Sequence, residues 1–348
     1  MLALLVLAGC NEDCPNQTQT TTIEVRNGAF VLNAGGYQQN NATITAYSSD
    51  NSATYQNFFE QKIGRKLGDT GNDMLRVGNR LYIVVYKSQT IEVVELPSWK
   101  SIKTISMLKD GAESGPRQIT EYNGKLFVSC FNDYVAVINT TTLVVENWVA
   151  VGTDPEGVVA LNGKIYVANS RYGQATASVS VINPTTMTVE DTFDAGNNLG
   201  DLEKDSYGDL YAISRGNYSD VPPRLLVIDP VSKAVKKTYD FDAQLIAVKG
   251  DSGYVSVGGY DFGLGKFVSK IVAIDVNADT VTNNELIPAS KFQNLYGVDV
   301  DPVSGDIYCT DSRDFVVSGD VFCFGTNGAL KFSFKGGVNP SKVAFYRN

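Results

Sequence analysis

The chain has 348 residues, 43% of them hydrophobic and 10% aromatic, which is ample apolar material for a core. Acidic residues outnumber basic ones 38 to 29, and the net charge of −9 argues against nucleic-acid binding, where basic patches supply most of the affinity. There is no histidine, which removes Ser-His-Asp triads, Cys-His dyads and imidazole-based metal sites as sources of function.

Residues 1–9 are wholly apolar, too short for the roughly 20 residues that span a bilayer, and end at Cys10. Leu7-Ala8-Gly9-Cys10 resembles the lipobox of bacterial lipoproteins, which implies a signal peptide over residues 1–9 and a lipidated Cys10. No Lys or Arg precedes Arg26, so the leader is expected to be truncated at its start, where a basic segment belongs. Asn11-Glu12-Asp13 resembles the acidic export tag of lipoproteins that gut Bacteroidetes display outside the outer membrane. Residues 10–22 are rich in Asn, Gln and Thr and read as a flexible tether.

From residue 23 to residue 348 the pattern is β throughout, with no sustained apolar period of 3.6. One phrase recurs, most clearly as Asp154-Pro155-Glu156-Gly157-Val158-Val159-Ala160-Leu161-Asn162-Gly163-Lys164-Ile165-Tyr166-Val167-Ala168-Asn169. Looser copies lead into Leu81-Tyr82, Leu126-Phe127, Leu210-Tyr211, Gly253-Tyr254 and Ile307-Tyr308, with Phe30 near the start, at spacings of about 40 to 54 residues. The fourth repeat resolves into strands Gly157–Leu161, Lys164–Asn169, Ser178–Asn183 and Val189–Ala195. Its first turn is Asn162-Gly163, a strong hairpin signal, and its third is Asn183-Pro184-Thr185-Thr186.

Four-stranded repeats of this length, arranged radially, make a β-propeller. The first repeat, at Phe30–Asn33, lacks its first strand, and the chain closes on an isolated first strand, Pro340 to Tyr346. Pairing the two completes a blade and removes the open edges. The expectation is a single all-β domain, a seven-bladed propeller of four-stranded antiparallel blades closed by the C-terminal strand.

Five cysteines occur without C-x-x-C spacing, and Cys309 and Cys323 fall on neighbouring predicted strands, as small apolar residues or as a disulfide. Asp299 with Asp301, and Asp240 with Asp242, are spaced to share a strand face and are weak candidates for a Ca²⁺ site.

Ile165-Tyr166-Val167-Ala168-Asn169 resembles the signature of YVTN-type seven-bladed propellers. Phe30-Val31-Leu32-Asn33-Ala34-Gly35-Gly36-Tyr37, Asn40-Asn41-Ala42-Thr43-Ile44 and Leu67-Gly68-Asp69-Thr70-Gly71-Asn72-Asp73-Met74 are similar to the surface lipoproteins encoded with cobalamin transporters in gut Bacteroidetes, the BtuG type. The resemblance covers roughly residues 23–348. It implies a lipid-anchored protein on the outer-membrane surface that binds cobalamin or a related corrinoid. The partner it implies is a TonB-dependent outer-membrane transporter.

In a propeller, the loop leading into each innermost strand opens on the same face as the loop between the second and third strands. Every repeat places an aromatic after its second strand: Tyr37, Tyr86, Tyr134, Tyr172, Tyr218, Tyr260 with Phe262, and Phe315. Asn132 sits among them, and Arg171, Arg215 and Arg313 appear in three repeats only. The innermost strands are led in by Asn72-Asp73, Arg117-Gln118, Asp154 to Glu156, Asp201, Gln244, Asn294 to Tyr296, and Asn339. Tyr and Phe favour strand ends on structural grounds alone, and duplication of one ancestor repeats them. Duplication does not account for the scattered arginines, which suggest an asymmetric ligand.

The candidate ligand-binding residues are therefore Tyr37, Tyr86, Asn132, Tyr134, Glu156, Arg171, Tyr172, Arg215, Tyr218, Tyr260, Phe262, Arg313 and Phe315. A rim of aromatics, amides and charges suits a broad, flat, hydrogen-bonding molecule such as cobalamin, held by shape and periphery because no imidazole exists to ligate cobalt. No catalytic residue is assigned. Two other classes stay open: a metal-dependent hydrolase or lyase using the central funnel, and an interaction scaffold without a small-molecule site.

Overall fold

The computed structural model describes residues 23–347, and Cys10 with its leader and tether lies outside them. Seven four-stranded antiparallel sheets form the blades of a propeller. The inner strands are Pro340–Arg347 for blade one, then Gly71–Val77, Pro116–Tyr122, Pro155–Leu161, Leu199–Lys204, Ala243–Lys249 and Leu295–Val300 for blades two to seven. Each inner strand neighbours the next in a closed ring around the axis.

The repeated phrase owes its composition to this arrangement. Successive residues of a strand face opposite sides, and a blade is covered on both sides by its neighbours. In blade four, Ile165 and Val167 pack toward blade three while Tyr166 and Ala168 pack toward blade five. One apolar cluster fills each of the seven gaps between adjacent blades. Second and third strands are therefore apolar on both faces, whereas outer strands such as Thr280–Ile287 are mostly exposed. Asn162 (φ 47°) and Gly163 (φ 79°) both take the left-handed conformation that a two-residue hairpin demands. At the third turn, the Asn183 side-chain oxygen accepts from the backbone N–H of Thr185 and Thr186.

Closure follows the expected pairing, with Asn27 opposite Arg347 and Phe30 opposite Ala344. Carboxylates of blade seven fasten the closing strand. Asp299 accepts from the Val343 backbone N–H at 2.7 Å and pairs with Lys342 at 2.9 Å, and Asp301 pairs with Arg347. Asp240 and Asp242 both pair with Arg224. All four aspartates that a calcium ion would have recruited are thus paired with cationic side chains.

Close contact between the inner strands of blades seven and one depends on Gly297. A Cβ there would lie 2.2 Å from the Ser341 carbonyl oxygen and 2.7 Å from Thr310 Oγ1. Gly297→Val is expected to cost about 2–3 kcal/mol, read as a lower urea midpoint with an unchanged slope, because backbone on the closing strand has to move.

One detail differs from the sequence reading, and one that it left open is decided. Blade one has an outer strand of three residues, Ala53–Tyr55, followed by a helix, Phe58–Ile63, whose Phe58 and Phe59 are buried near Phe30 and Trp99. Cys309 and Cys323 do not form a disulfide. Cys309 pairs in register with Phe322, and Cys323 with Tyr308, an offset of one residue that sends the thiols to opposite faces of the blade. Both are buried and free, in the clusters on either side of blade seven.

Candidate functional site

The two sets of loops singled out in the sequence meet on one face, and the contact repeats in every blade. At each junction a backbone N–H at the end of the second strand, or within its longer form at Gly258 of blade six, donates to the carbonyl of the residue before the inner strand: Ala34 to Asn339, Tyr86 to Thr70, Phe131 to Gly115, Ser170 to Asp154, Arg215 to Asn198, Gly258 to Asp242 and Ser312 to Asn294, at 2.7–3.1 Å. Thr70, Gly115, Asp154, Asn198 and Asn339 adopt positive φ at this junction. Asp and Asn tolerate that conformation best after glycine, which accounts for their recurrence. The seven junctions form a stiff collar that holds the side chains above it.

On the part of the collar formed by blades three to five lies an open cavity of about 340 Å³, lined by Phe131, Asp154, Glu156, Ser170, Tyr172, Asn198, Arg215 and Tyr218. Glu156, only 5% exposed, sits on the inner strand of blade four. It accepts from Arg117 Nε at 3.1 Å and Nη2 at 3.0 Å, and from Arg215 Nη1 at 3.2 Å. Arg117 also donates to Asn72 at 2.7 Å and lies over the rings of Phe131 (4.4 Å) and Tyr86 (5.3 Å). Three blades are thereby tied by one carboxylate between two guanidinium groups. Gln118 adds a link to Asp201 at 2.6 Å.

Tyr172 and Tyr218 stand at the mouth of the cavity, 68% and 70% exposed, with ring centroids 6.2 Å apart. Among the described residues Asp154 has no cationic side-chain partner; burial, then Asp133 and Glu156, raise its pKa against a hydrogen bond from the Tyr172 backbone N–H. Asn198 Nδ2 is buried and has no hydrogen-bond partner, and Asn132 Oδ1 next door is in the same condition.

Of the residues expected from sequence, Glu156, Tyr172, Arg215 and Tyr218 come together here, with Asn132 and Tyr86 on the adjoining side. Arg171 and Arg313 do not join them: each turns to the outer half of its own blade, to Asp194 at 3.1 Å and to Asp320 at 2.6 Å. Tyr37 and Tyr134 stand apart, each approached by a lysine, Lys87 and Lys109. Tyr260, Phe262 and Phe315 belong to a separate aromatic cluster with Phe267 and Tyr296 on blades six and seven, where Phe262 is 90% exposed.

Arg117, Asn198 and Phe131 complete the cavity without having been selected from the sequence. Below the cavity, inner-strand side chains meet near the axis: Lys342 feels Asp299, Asp73 and Glu203 from blades seven, two and five. Burial raises the Glu203 pKa to about 7 against the opposing pull of Lys342, with Asp201 and Asp299 adding to the rise. Burial likewise raises Asp73 and Asp299, each partly restrained by Lys342. Their signal was charged residues in first strands, as in Asp201-Leu202-Glu203. Among the described residues no group of His, Cys, Asp or Glu is disposed to hold a metal ion.

A family model described as a domain of unknown function, DUF5074, matches residues 27–319. No curated protein matches the chain. Among solved structures the chain is similar to a quinonprotein alcohol dehydrogenase-like protein from Bacteroides thetaiotaomicron, with 13% identity over 93% of this chain and 79% of that one and a TM-score of 0.67. It is also similar to Kuenenia stuttgartiensis hydrazine synthase, with 16% identity over 74% and 77% of the two chains and a TM-score of 0.62. The WD40 domain of Neurospora crassa Pan2 shares 12% identity over 78% and 80%, with a TM-score of 0.58. At these identities the likeness is one of fold alone.

Proposed function

The chain belongs to the DUF5074 family, which is defined without a function, and from the geometry of its upper face we propose that it is a binding protein rather than an enzyme. Its ligand in this reading is a broad, flat, hydrogen-bonding molecule, and the sequence resemblance names the class: cobalamin or a related corrinoid. The observation that carries the proposal is the pair Tyr172 and Tyr218, largely exposed above a cavity whose lining polar groups are incompletely paired. Ordinary turn residues do not leave two phenol rings side by side in solvent over buried amides. A cavity of about 340 Å³ is small for a whole macrocycle, so the ring system lies on the tyrosine rim with one peripheral arm in the cavity.

Lipidation at Cys10 and display on the outer membrane belong to the same proposal. Residues 23–26 approach the blade-one second strand from the face opposite the cavity, so an anchor on that side leaves the collar free for capture. Transfer to a TonB-dependent transporter then follows by contact with the same open face.

Titration calorimetry of the full chain with cyanocobalamin and with cobinamide tests the reading. Binding is expected, and Tyr172→Ala and Tyr218→Ala are each expected to weaken it by about 1–3 kcal/mol with an unchanged melting temperature, while Tyr260→Ala, in the separate cluster, is expected to leave it unchanged. Absence of heat with both corrinoids refutes the corrinoid assignment.

A further inference from the structure

Acidic and basic groups alternate around the cavity, with Asp133 beside Asp154 and Asp201 near Arg215. Asp154 and Glu156 supply two negative groups, and Arg117 and Arg215 supply two positive ones. Glu156 is consumed by the two arginines, so the carboxylate with acceptor capacity left for a ligand is Asp154, which accepts from the Tyr172 backbone N–H and has no cationic side-chain partner among the described residues. A free donor is Asn198 Nδ2, on a side chain 6% exposed and without a partner. A buried amide N–H₂ left without an acceptor is costly, and a ligand oxygen removes that cost.

We infer that this cavity is a subsite for a primary carboxamide on one arm of the bound molecule. The amide oxygen accepts from Asn198 Nδ2, and the amide N–H₂ donates to Asp154. An ionised carboxylate on the same arm meets Asp154 as a like charge, and an ammonium meets Arg215. A neutral planar group that donates at one end and accepts at the other satisfies both free groups and disturbs neither arginine. Burial, with Asp133 and Glu156 nearby, raises the Asp154 pKa against the Tyr172 backbone N–H, which fits a carboxylate that gains from a further neutral donor. The inference rests on the corrinoid reading only for its first probe.

The test compares cyanocobalamin with its monocarboxylate derivatives, in which one peripheral amide is hydrolysed, on the full chain at pH 7.5. At least one monocarboxylate isomer is expected to bind tenfold or more weakly than the parent. Asn198→Asp keeps the size and the tolerance of positive φ but replaces the donor by an acceptor, and is expected to weaken the parent about tenfold. Asp154→Asn is expected to restore binding of the penalised isomer. If the parent binds while all isomers and Asn198→Asp bind equally well, the subsite is overturned and the corrinoid reading stands. If the parent does not bind, the corrinoid reading falls. The subsite is then read from crystals soaked with nicotinamide and, separately, nicotinate: density for the amide alone at Asn198 and Asp154 supports it, and density for neither, or for both, overturns it.

Discussion

Replacing Glu156 by alanine is expected to destabilise the fold by about 2–4 kcal/mol, measured by urea denaturation, and to abolish ligand capture. The carboxylate is almost fully buried and accepts hydrogen bonds from both Arg117 and Arg215. Its loss leaves two guanidinium groups without their shared carboxylate, on inner strands and loops of blades three and five, with Asp201 the remaining acid near Arg215. Both arginines retain some access to water, which keeps the effect below that of a fully sealed pair. Glu156→Gln, which keeps shape and one acceptor, is expected to fall between wild type and alanine. A loss under about 0.5 kcal/mol for alanine contradicts the view that this group ties the three blades together.

The second large effect concerns Glu203 and runs opposite to ordinary acid lability. Its pKa stands at about 7 in the folded chain against an ordinary value of 4.5. The folded state therefore holds a proton that the unfolded state releases, so this group favours folding at low pH. That contribution is lost as pH rises from about 4.5 through about 7, and above 7 the half-buried, desolvated carboxylate is a net cost. Glu203→Gln cannot ionise and is expected to be about 1–2 kcal/mol more stable than wild type at pH 8, with the gain gone at pH 4.5. Lys342→Met is expected to act in the opposite sense, costing more at pH 8 than at pH 5, because Asp299, Asp73 and Glu203 then lose their shared cation. A pH-independent difference for Glu203→Gln contradicts the axial charge cluster.

The fold was legible because its rules are local. Second and third strands are apolar on both faces, and turns such as Asn162-Gly163 carry their own conformational signature. Closure was legible because one strand was missing at the start and one was left over at the end. The site was only half legible, and the arginines show why. Arg171 and Arg215 leave equivalent second strands, yet Arg171 folds back on Asp194 at the end of its own outer strand, whereas the outer strand of blade five ends in Tyr239. The acid that follows, Asp240, is taken by Arg224, and Arg215 turns inward to Glu156. Arg313 follows Arg171, held by Asp320. An aromatic or arginine after a strand thus fixes position but not direction, which depends on the partner a neighbouring strand supplies. The axial cluster was less visible still. Lys342 meets Asp73 and Glu203 only after the last strand returns to close the ring, so separation along the chain hides the contact.

The central claim is that the collar over blades three to five captures the ligand. Hydrogen–deuterium exchange of the full chain with saturating cyanocobalamin tests it directly. The expected result is slowed exchange at residues 169–173 and 215–221, around Tyr172, Arg215 and Tyr218, with the opposite-face turns at 183–187 and 229–233 unchanged. No protection anywhere, or protection confined to the opposite face, contradicts the claim.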